Sequence, residues 1–384
     1  MSKTGKDLAI IIFTILFSTF LVWLPHLLAL PNFWNLDFSA GFNTIYRNFD
    51  GLEYIIIAKT FYDPALIAGI PQALPANYFA SHFPGFPLLI FIFAPLLGYL
   101  KSMLLVTVFF TIASSLAFYF LVKDFKLTVH PLFLTLVFLF LPARWLIVRS
   151  VGSPEPIFIF FVILSIYFFL RATSYQLLVT EFIWISAIFA ALAQLVRPPG
   201  MLLMAGLGLY VLWQAYKQKS IQYFLSFYPF LTIPLTLLGI FYFYGIQYGD
   251  FLAYFHSGDN IHLTFPPFQI FNTKQYWVES IWLEDIVYIF LLGFLGGLLL
   301  FKEKVYPVAF FVLTYLFASI FVAHRDISRY TLPIAPFVII AYEKVINTKY
   351  FKITLAILAL GIYLYCQNYL INNIAPVPDL SFYD

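Results

Sequence analysis

The residues most capable of chemistry in this chain are charged side chains that stand beside long apolar segments. Asp50 lies in the stretch YRNFDGLEYIIIAKTFYDP, and Glu53 follows it three positions later. A carboxylate near an apolar boundary can accept a proton from a hydroxyl nucleophile, which is the role of a general base. The same spacing suits a helix N-cap with an acid in the first turn, because the pattern Leu52, Ile55, Ile56, Lys59 predicts a short helix on a membrane surface. Capping and base catalysis are compatible if one carboxylate oxygen of Asp50 stays free.

A histidine and a further acid stand at proline-containing turns. In SHFPGFPLL, Pro84 and Pro87 predict a rigid start for a helix, and His82 precedes them. Two interpretations of His82 stay open: it contacts a substrate, or it is a loop residue without a functional role. In RSVGSPEPIF, Glu155 begins an apolar segment close to Arg149. The helix dipole favours an acid at that end, and an ionisable residue at a membrane edge is also a functional candidate.

Arginines gather at the ends of two later apolar segments. Arg197 ends one of them in QLVRPPG, and HRDISRYTLP supplies His324, Arg325, Arg329 and Tyr330 just before another. The planar guanidinium group binds phosphate or carboxylate through two hydrogen bonds. These side chains therefore predict an anion site if they converge. The structural alternative for Arg197 is a side chain that merely extends to the membrane interface.

The sequence contains none of the common signatures of metal, nucleotide or nucleophile sites. It has no zinc pattern, no P-loop, no dinucleotide-binding glycine pattern and no nucleophile elbow. His256 and His262 occur in the segment 245–283 without the spacing of metal ligands, so no metal site is assigned. The aromatic residues of that segment suit a membrane-interface belt, and they suit equally the lining of a sugar or lipid groove.

The elements that must position these residues are apolar helices. The chain has 384 residues, of which 62% are hydrophobic and only 10% are charged. Such a composition lacks the polar residues that cover a soluble protein of this length. We therefore predict an all-α polytopic membrane protein with no soluble domain, and the net charge of +3 gives no reason to expect a nucleic-acid partner. Eleven membrane spans are predicted, at 8–30, 103–122, 128–147, 156–171, 178–196, 200–216, 221–244, 284–301, 305–323, 331–346 and 353–374.

The lysines indicate how the chain threads the membrane. One further apolar stretch, 84–100, contains three prolines and two glycines. If this stretch does not cross the membrane, the lysine-rich ends of the spans all lie on one side of the bilayer, as the positive-inside rule requires. We therefore interpret 84–100 as an interfacial helix, with a cytoplasmic N-terminus and external loops at 31–102 and 245–283. All arginines except Arg171, and most carboxylates, then lie outside.

Taken in order, these motifs resemble those of the integral-membrane glycosyltransferases called GT-C, and most closely the family of the second GPI mannosyltransferase. The family patterns W-D-G-x-x-Y-x-x-I-A, F-P-x-x-P-L, S-x-E, R-P-x-G and R-Y-x-x-P correspond here to FDGLEYIIIA from Phe49, FPGFPL from Phe83, SPE from Ser153, RPPG from Arg197 and RYTLP from Arg329. The similarity extends over roughly residues 8–344. The chain departs from the family at Phe49, where tryptophan is usual.

The resemblance implies a single GT-C transmembrane domain over 1–384, with 31–102 as the catalytic first external loop. It implies transfer of a hexose, with mannose expected, from a polyprenyl-phosphate sugar to a hydroxyl of a glycan, lipid or protein, with inversion. Asp50 would be the general base, and Arg197, Arg325 or Arg329 would stabilise the departing lipid phosphate. Glu155 would orient the acceptor or hold a divalent cation. The remaining substrate contacts would come from Glu53, Tyr54, His82, His324 and Tyr330.

Other functions stay open. A different GT-C branch would transfer a pentose, an aminosugar or glucose to a lipid or protein. A lipid-linked-glycan flippase or transporter would place charged residues at mid-span on several helices, whereas most charges here stand at span ends. The membrane would be the cytoplasmic membrane in a prokaryote and the endoplasmic reticulum in a eukaryote.

Overall fold

The computed structural model describes residues 2–173, 180–259, 261, 263–278, 283–377 and 379–384. These residues form helices joined by loops, and within these ranges only isolated β-bridges occur, without a strand. The α-helices are α1 Lys3–Leu27, α2 Asn43–Tyr46, α3 Gly51–Thr60, α4 Pro64–Ala68, α5 Gly85–Leu97, α6 Tyr99–Asp124, α7 Pro131–Phe140, α8 Ala143–Val148, α9 Glu155–Thr173, α10 Thr180–Val196, α11 Met201–Gln218, α12 Ile221–Leu225, α13 Thr232–Tyr248, α14 Ala253–His256, α15 Glu284–Lys302, α16 Tyr306–Ser319, α17 Ile327–Tyr330, α18 Ala335–Ala341, α19 Glu343–Ile346 and α20 Lys349–Asn372. Short 3₁₀ helices cover Ala76–Ser81, Pro198–Gly200, Tyr228–Leu231, Gln269–Phe271, Leu332–Ile334 and Ser381–Tyr383.

Six helical stretches of the described chain are long and apolar enough to cross a membrane. They are α1, α6, α9, the stretch Ile221–Tyr248 that contains α12 and α13, α15 and α20. A helix of about 20 residues spans the roughly 30 Å hydrocarbon core of a bilayer. The molecule is therefore an all-helical protein with the build of a multi-pass membrane protein, as predicted.

The predicted number of eleven spans is not confirmed within the described residues. The apolar stretch 128–147 is divided at Pro142 into α7 and α8, and 331–346 is divided into a 3₁₀ turn, α18 and α19. Proline lacks an amide hydrogen and clashes with the preceding turn, which ends α7 after ten residues. At 1.5 Å per residue α7 is about 15 Å long, roughly half of a bilayer core. Hydropathy alone did not reveal these interruptions.

The short helix predicted after Asp50 is present as α3, but it does not lie on a surface. Almost every residue from Gly51 to Thr60 is buried, with only Glu53 and Lys59 partly exposed. A helix that is apolar on all sides packs inside a protein. The first loop is thus folded into the bundle, and Asp50 at the start of α3 is carried inward with it.

The core of the bundle positions the segment ends where the charged residues stand. Helix α9 packs against α6 and α10, and α16 packs against α11 and α15. At Gly85, an added Cβ would lie 2.9 Å from the Leu195 carbonyl oxygen. The start of α5 therefore contacts the end of α10 directly. This close approach places His82, just before α5, on the same cavity as Arg197, just after α10.

Close helix packing at Gly206 gives the first prediction. A Cβ at Gly206 would lie 2.7 Å from the Phe311 Cα on α16, so Gly206→Ala forces α11 and α16 apart. Overpacking of this kind costs about 1–3 kcal/mol. We expect a clearly lower thermal unfolding midpoint for detergent-purified Gly206→Ala. The control is Gly239→Ala on α13, where nothing lies within 4 Å of the new methyl group. Equal midpoints for the two variants would contradict the packing.

Candidate active site

Four charged side chains from four separate segments meet in one cluster. Arg329, from α17, donates through Nη1 to Asp50 Oδ2 at 3.0 Å and through Nε to Glu155 Oε1 at 2.6 Å. Arg197, just after α10, donates through Nη1 to the same Glu155 oxygen at 2.5 Å. Two cations and two carboxylates thus form a charge-balanced group. We call Asp50, Glu155, Arg197 and Arg329 the charge cluster.

Glu155 is the buried centre of the charge cluster. Its side chain has no exposed surface, and its Oε1 accepts from both arginines. A carboxylate is stable at such a position only because cations compensate the loss of water. Glu155 was expected to orient an acceptor, and its carboxylate contacts the two guanidinium groups without lining the cavity. Glu155 holds the two arginines in place.

Arg149 does not pair with Glu155, although the two are close in sequence. Its guanidinium donates to the Leu139 carbonyl oxygen at 3.1 Å and to the hydroxyls of Thr19 and Ser18 at 3.2 and 2.9 Å. Arg149 thereby ties α1 to the end of α7. Its position in the fold is structural, and the counter-ions of Glu155 come from distant parts of the chain.

A small polar cavity lies in front of the charge cluster. Its polar lining comes from Asp50, Tyr54, Ser81, His82, Arg197, Asp259, Arg329 and Tyr330. Its volume is about 50 Å³, the room of one or two water molecules. A sugar ring would therefore occupy the cavity only after its walls move apart. We call it the polar cavity.

Asp50 keeps one oxygen free, as base catalysis requires. Although Asp50 occupies the N-cap position of α3, its side chain makes no capping hydrogen bond. Its Oδ2 accepts from Arg329, while Oδ1 has no hydrogen-bond partner among the described residues. The side chain is 34% exposed, toward the polar cavity. Burial acts to raise the pKa of Asp50, but the charge and the hydrogen bond of Arg329 act in the opposite direction, and the pKa lies below its ordinary value. Asp50 is therefore ionised.

The residue before Asp50 sets the direction of both side chains. Phe49 has φ of +50°, in the left-handed region that bulky residues rarely adopt. Its ring stacks on Tyr369 with centroids 5.3 Å apart, and the Arg329 guanidinium lies 4.5 Å from the ring centroid. The left-handed turn at Phe49 places its ring against one side of the Arg329 guanidinium. Asp50 accepts a hydrogen bond from the same guanidinium on another side.

His82 presents an unprotonated nitrogen to Asp50. The Ser81 hydroxyl donates to the Tyr78 carbonyl oxygen at 2.7 Å, so it must accept from His82 Nδ1 at 2.8 Å. That assigns the proton to Nδ1 and leaves Nε2, 4.0 Å from Asp50 Oδ2, as an acceptor. Burial lowers the pKa of His82 and keeps the ring neutral, although Asp50 acts in the opposite direction. His82 can thus accept a hydrogen bond from a hydroxyl in the cavity.

Glu53 and Tyr54 lie on different sides of α3. Tyr54 lines the polar cavity, and its ring packs edge-on against His82 at 5.0 Å and Phe86 at 5.1 Å. Glu53, also predicted among the substrate contacts, does not line the cavity. Its Oε2 is buried without a hydrogen-bond partner among the described residues. Burial, followed by repulsion from Asp50, raises the pKa of Glu53 to about 8.

Of the HRDISRY residues, Arg329 and Tyr330 face the polar cavity. Tyr330 lies under Arg197, whose guanidinium is 5.8 Å from the ring centroid. The His324 ring packs at a tilt against Tyr330, with centroids 4.9 Å apart, and accepts a hydrogen bond from the Asp326 amide at 3.0 Å, so His324 supports the wall without lining it. Arg325 is exposed and extends over Tyr276 instead. The predicted convergence is therefore wrong for Arg325, because that residue precedes α17 and does not share the helix face of Arg329.

Asp259 was not singled out in the sequence, yet it lines the polar cavity. Burial raises the pKa of this carboxyl group, and His82 across the cavity acts in the opposite direction. Gly258 before it has φ of +82°, so the chain makes a tight turn that points Asp259 inward. The sequence Ser-Gly-Asp at 257–259 was the available signal, but nothing in its spacing related it to Asp50.

The donor set does not fit a metal ion at Glu155. Within the described ranges, no group of three or more His, Cys, Asp or Glu side chains is arranged to hold one. The divalent cation considered for Glu155 would face two guanidinium groups, which repel it. His256 pairs with Asp250 at 2.7 Å, and His262 lies outside the described residues.

Comparisons with protein-family models and with curated proteins find no match for this chain. The geometry of the polar cavity and the charge cluster is therefore the ground on which a function is proposed.

The buried position of Glu155 gives a stability prediction. Glu155→Gln removes the anion that compensates two arginines, and breaking such a buried pair costs about 3–5 kcal/mol. We expect a much lower thermal midpoint for the detergent-purified variant. The control is Glu303→Gln, which removes an exposed ion pair with Lys344 that surface screening makes nearly neutral. A Glu155→Gln midpoint equal to that of the control would refute the anchoring role.

The raised pKa of Glu53 predicts a pH-dependent stability. Its ordinary value is 4.5 and its folded value is about 8, so the folded protein binds a proton that the unfolded chain lacks between these values. Stability therefore falls as pH rises through this window. Glu53→Gln should show a flatter thermal midpoint than wild type between about pH 5 and about pH 9. If the thermal midpoints of wild type and variant changed in parallel with pH, Glu53 would not be protonated in the folded protein.

Proposed function

We propose that this chain is an integral-membrane glycosyltransferase of the GT-C type. It transfers a hexose, with mannose as the expected sugar, from a polyprenyl-phosphate donor to an acceptor hydroxyl at the external membrane face. The observation that carries the proposal is the polar cavity, where a free oxygen of Asp50 faces Arg197 and Arg329, whose shared counter-anion lies buried behind them.

The arginines keep donors available for a phosphate. Arg197 uses only Nη1 toward Glu155, and Arg329 uses Nε and Nη1 toward the two carboxylates. The other guanidinium N–H groups have no hydrogen-bond partner among the described residues. N–H donors that are already held in position and point at one site stabilise the negative charge that develops on a leaving phosphate. Because Glu155 holds both guanidinium groups, little reorganisation is needed when the phosphate arrives.

An apolar path leads from the polar cavity along α11. A pocket of about 220 Å³ shares Pro198 and Tyr330 with the polar cavity. A larger apolar pocket of about 740 Å³ shares Met201 with the 220 Å³ pocket and continues along α11. This arrangement suits a donor whose phosphate is carried on a long isoprenoid chain. The chain offers no polar segment of domain size for a nucleotide sugar, which also favours a membrane-borne donor.

The proposed reaction is a single displacement. The acceptor hydroxyl oxygen forms a bond to the anomeric carbon, and the bond from that carbon to the phosphate oxygen breaks. The electron pair leaves with the lipid phosphate, which Arg197 and Arg329 bind, and the hydroxyl proton passes to Asp50 Oδ1. Attack opposite the leaving group inverts the anomeric centre. Because the pKa of Asp50 is lowered, proton transfer accompanies bond formation and does not precede it.

The other cavity residues orient the reactants. His82 Nε2 accepts from a sugar or acceptor hydroxyl, and Tyr54 and Tyr330 form the walls. In this proposal the first loop 31–102 is catalytic, and the loop 245–283 contributes Asp259 from the other side. Residues 1–384 act as one GT-C domain in the cell membrane of a prokaryote or the endoplasmic reticulum of a eukaryote.

The central test replaces the proposed base. Membranes that contain wild type should transfer radiolabelled mannose from polyprenyl-phosphate mannose. Asp50→Asn should lower the rate at least about 100-fold, since a general base contributes roughly 100- to 10,000-fold. The control is Asp37→Asn, an exposed acid of the same loop whose contacts are with Ser39.

The outcomes separate the parts of the proposal. Wild-type transfer that Asp50→Asn retains, with the variant folded, would leave the transferase and remove Asp50 as base. If wild type transfers no mannose, polyprenyl-phosphate pentose, aminosugar and glucose are the next donors. Failure with all of them would overturn the glycosyltransferase, and movement of a lipid-linked glycan across the membrane would then be measured.

A further inference from the structure

A second cleft lies beside the charge cluster and plays no part in the reaction described above. It has a volume of about 400 Å³, within the range of small-molecule sites. Its charged and amide lining comes from Arg144, Asp285, Arg325, Asp326, Asn368, Asn372 and Asn373. We call it the asparagine cleft.

One face of α20 turns polar where it meets this cleft. Tyr365, Asn368, Tyr369 and Asn372 all line it, and their spacing of three and four residues puts them on a single helix face. Earlier in the same helix, exposed side chains such as Ile357 are apolar, as lipid contact requires. The change from apolar to polar therefore marks the part of α20 that faces a polar ligand.

The charges of the asparagine cleft cancel. Arg144 donates through Nη2 to Asp326 at 2.5 Å and through Nη1 to the Tyr365 hydroxyl at 3.5 Å. Arg325 and Asp285 add one charge of each sign. A site without net charge gives no preference to a phosphate or a nucleotide. It suits a neutral molecule with many hydroxyl groups.

Several polar groups of the cleft are available to such a molecule. The side-chain amide of Asn368 and the carboxylate of Asp285 have no hydrogen-bond partner among the described residues. An amide both donates and accepts, and a carboxylate accepts twice, which matches the paired donor and acceptor character of sugar hydroxyls. The ring of Tyr369 also lines the cleft, with the Arg144 guanidinium 4.0 Å from its centroid.

Only one aromatic ring separates the asparagine cleft from the charge cluster. Phe49 stacks on Tyr369 at 5.3 Å, and Arg329 lies 4.5 Å from the Phe49 ring centroid on the cluster side. Arg144 of the cleft lies 5.4 Å from the same ring. A molecule seated in the cleft is therefore separated by the Phe49 ring from Arg329, which pairs with Asp50.

We propose that the asparagine cleft binds a neutral glycan, and that this glycan carries the acceptor hydroxyl. The binding stands on the cleft itself, whereas the acceptor role rests on the proposed transferase function. The glycan lies along the polar face of α20, and its reactive end passes Phe49 toward Asp50. The acceptor class is thereby a saccharide in preference to a protein side chain.

Saturation-transfer NMR on the detergent-purified full chain tests the binding without any donor. The probes are mannobiose, chitobiose and cellobiose, with glycerol 3-phosphate as an anionic comparison. At least one disaccharide should receive saturation from wild type. The double variant Asn368→Leu, Asn372→Leu should lower that signal at least fivefold, because it removes two of the three side-chain amides that line the cleft. Tyr350→Leu, an exposed change at the other end of α20, should leave the signal unchanged.

Thermal midpoints verify that the double variant is folded, which its exposed positions favour. Saturation of none of the disaccharides, of the anionic probe alone, or of the double variant at the wild-type level would overturn the cleft assignment. Disaccharide binding by Asp50→Asn at the wild-type level would support it, since Asp50 does not line the cleft. Binding without sugar transfer by wild type would instead reject the transferase function and leave the cleft standing.

Discussion

The ion pairs at Glu155 hold the remainder of the site together. A carboxylate without exposed surface is tolerable only while Arg197 and Arg329 both contact it. Those contacts fix the end of α10 and the helix α17 against the start of α9, and Arg329 in turn fixes Asp50. The buried charge of Glu155 must be compensated, and this requirement determines the positions of Arg197 and Arg329. Through Arg329 it also determines the position of the free Asp50 oxygen that faces them.

The sequence predicted the positions of the site residues along the chain better than their contacts. Arg197, Arg329, Glu155 and Asp50 all stand at ends of apolar segments, where a low-charge composition makes each charge conspicuous. Their partners depend on how helices far apart in sequence pack, which no local spacing records. Glu155 was therefore expected near Arg149, and Asp259 was not connected to Asp50 at all.

For the fold too, the sequence predicted what local patterns determine and did not predict what depends on long-range packing. Long apolar stretches such as α6 and α9 are strong helix signals, and the structure has them. The interruption at Pro142 and the burial of α3 depend on tertiary packing, because hydropathy alone cannot distinguish a helix surrounded by lipid from one surrounded by protein. The first loop is consequently part of the core, which is how Asp50 comes to face residues from α10 and α17.

A structure of the protein with polyprenyl phosphate bound would test the account most directly. The phosphate oxygens should lie within hydrogen-bond distance of Arg197 and Arg329, with the isoprenoid chain along α11. Glu155 should keep both arginine contacts in that complex. A phosphate bound elsewhere, with the two arginines still facing only Asp50 and Glu155, would contradict the assignment of the charge cluster as the donor site.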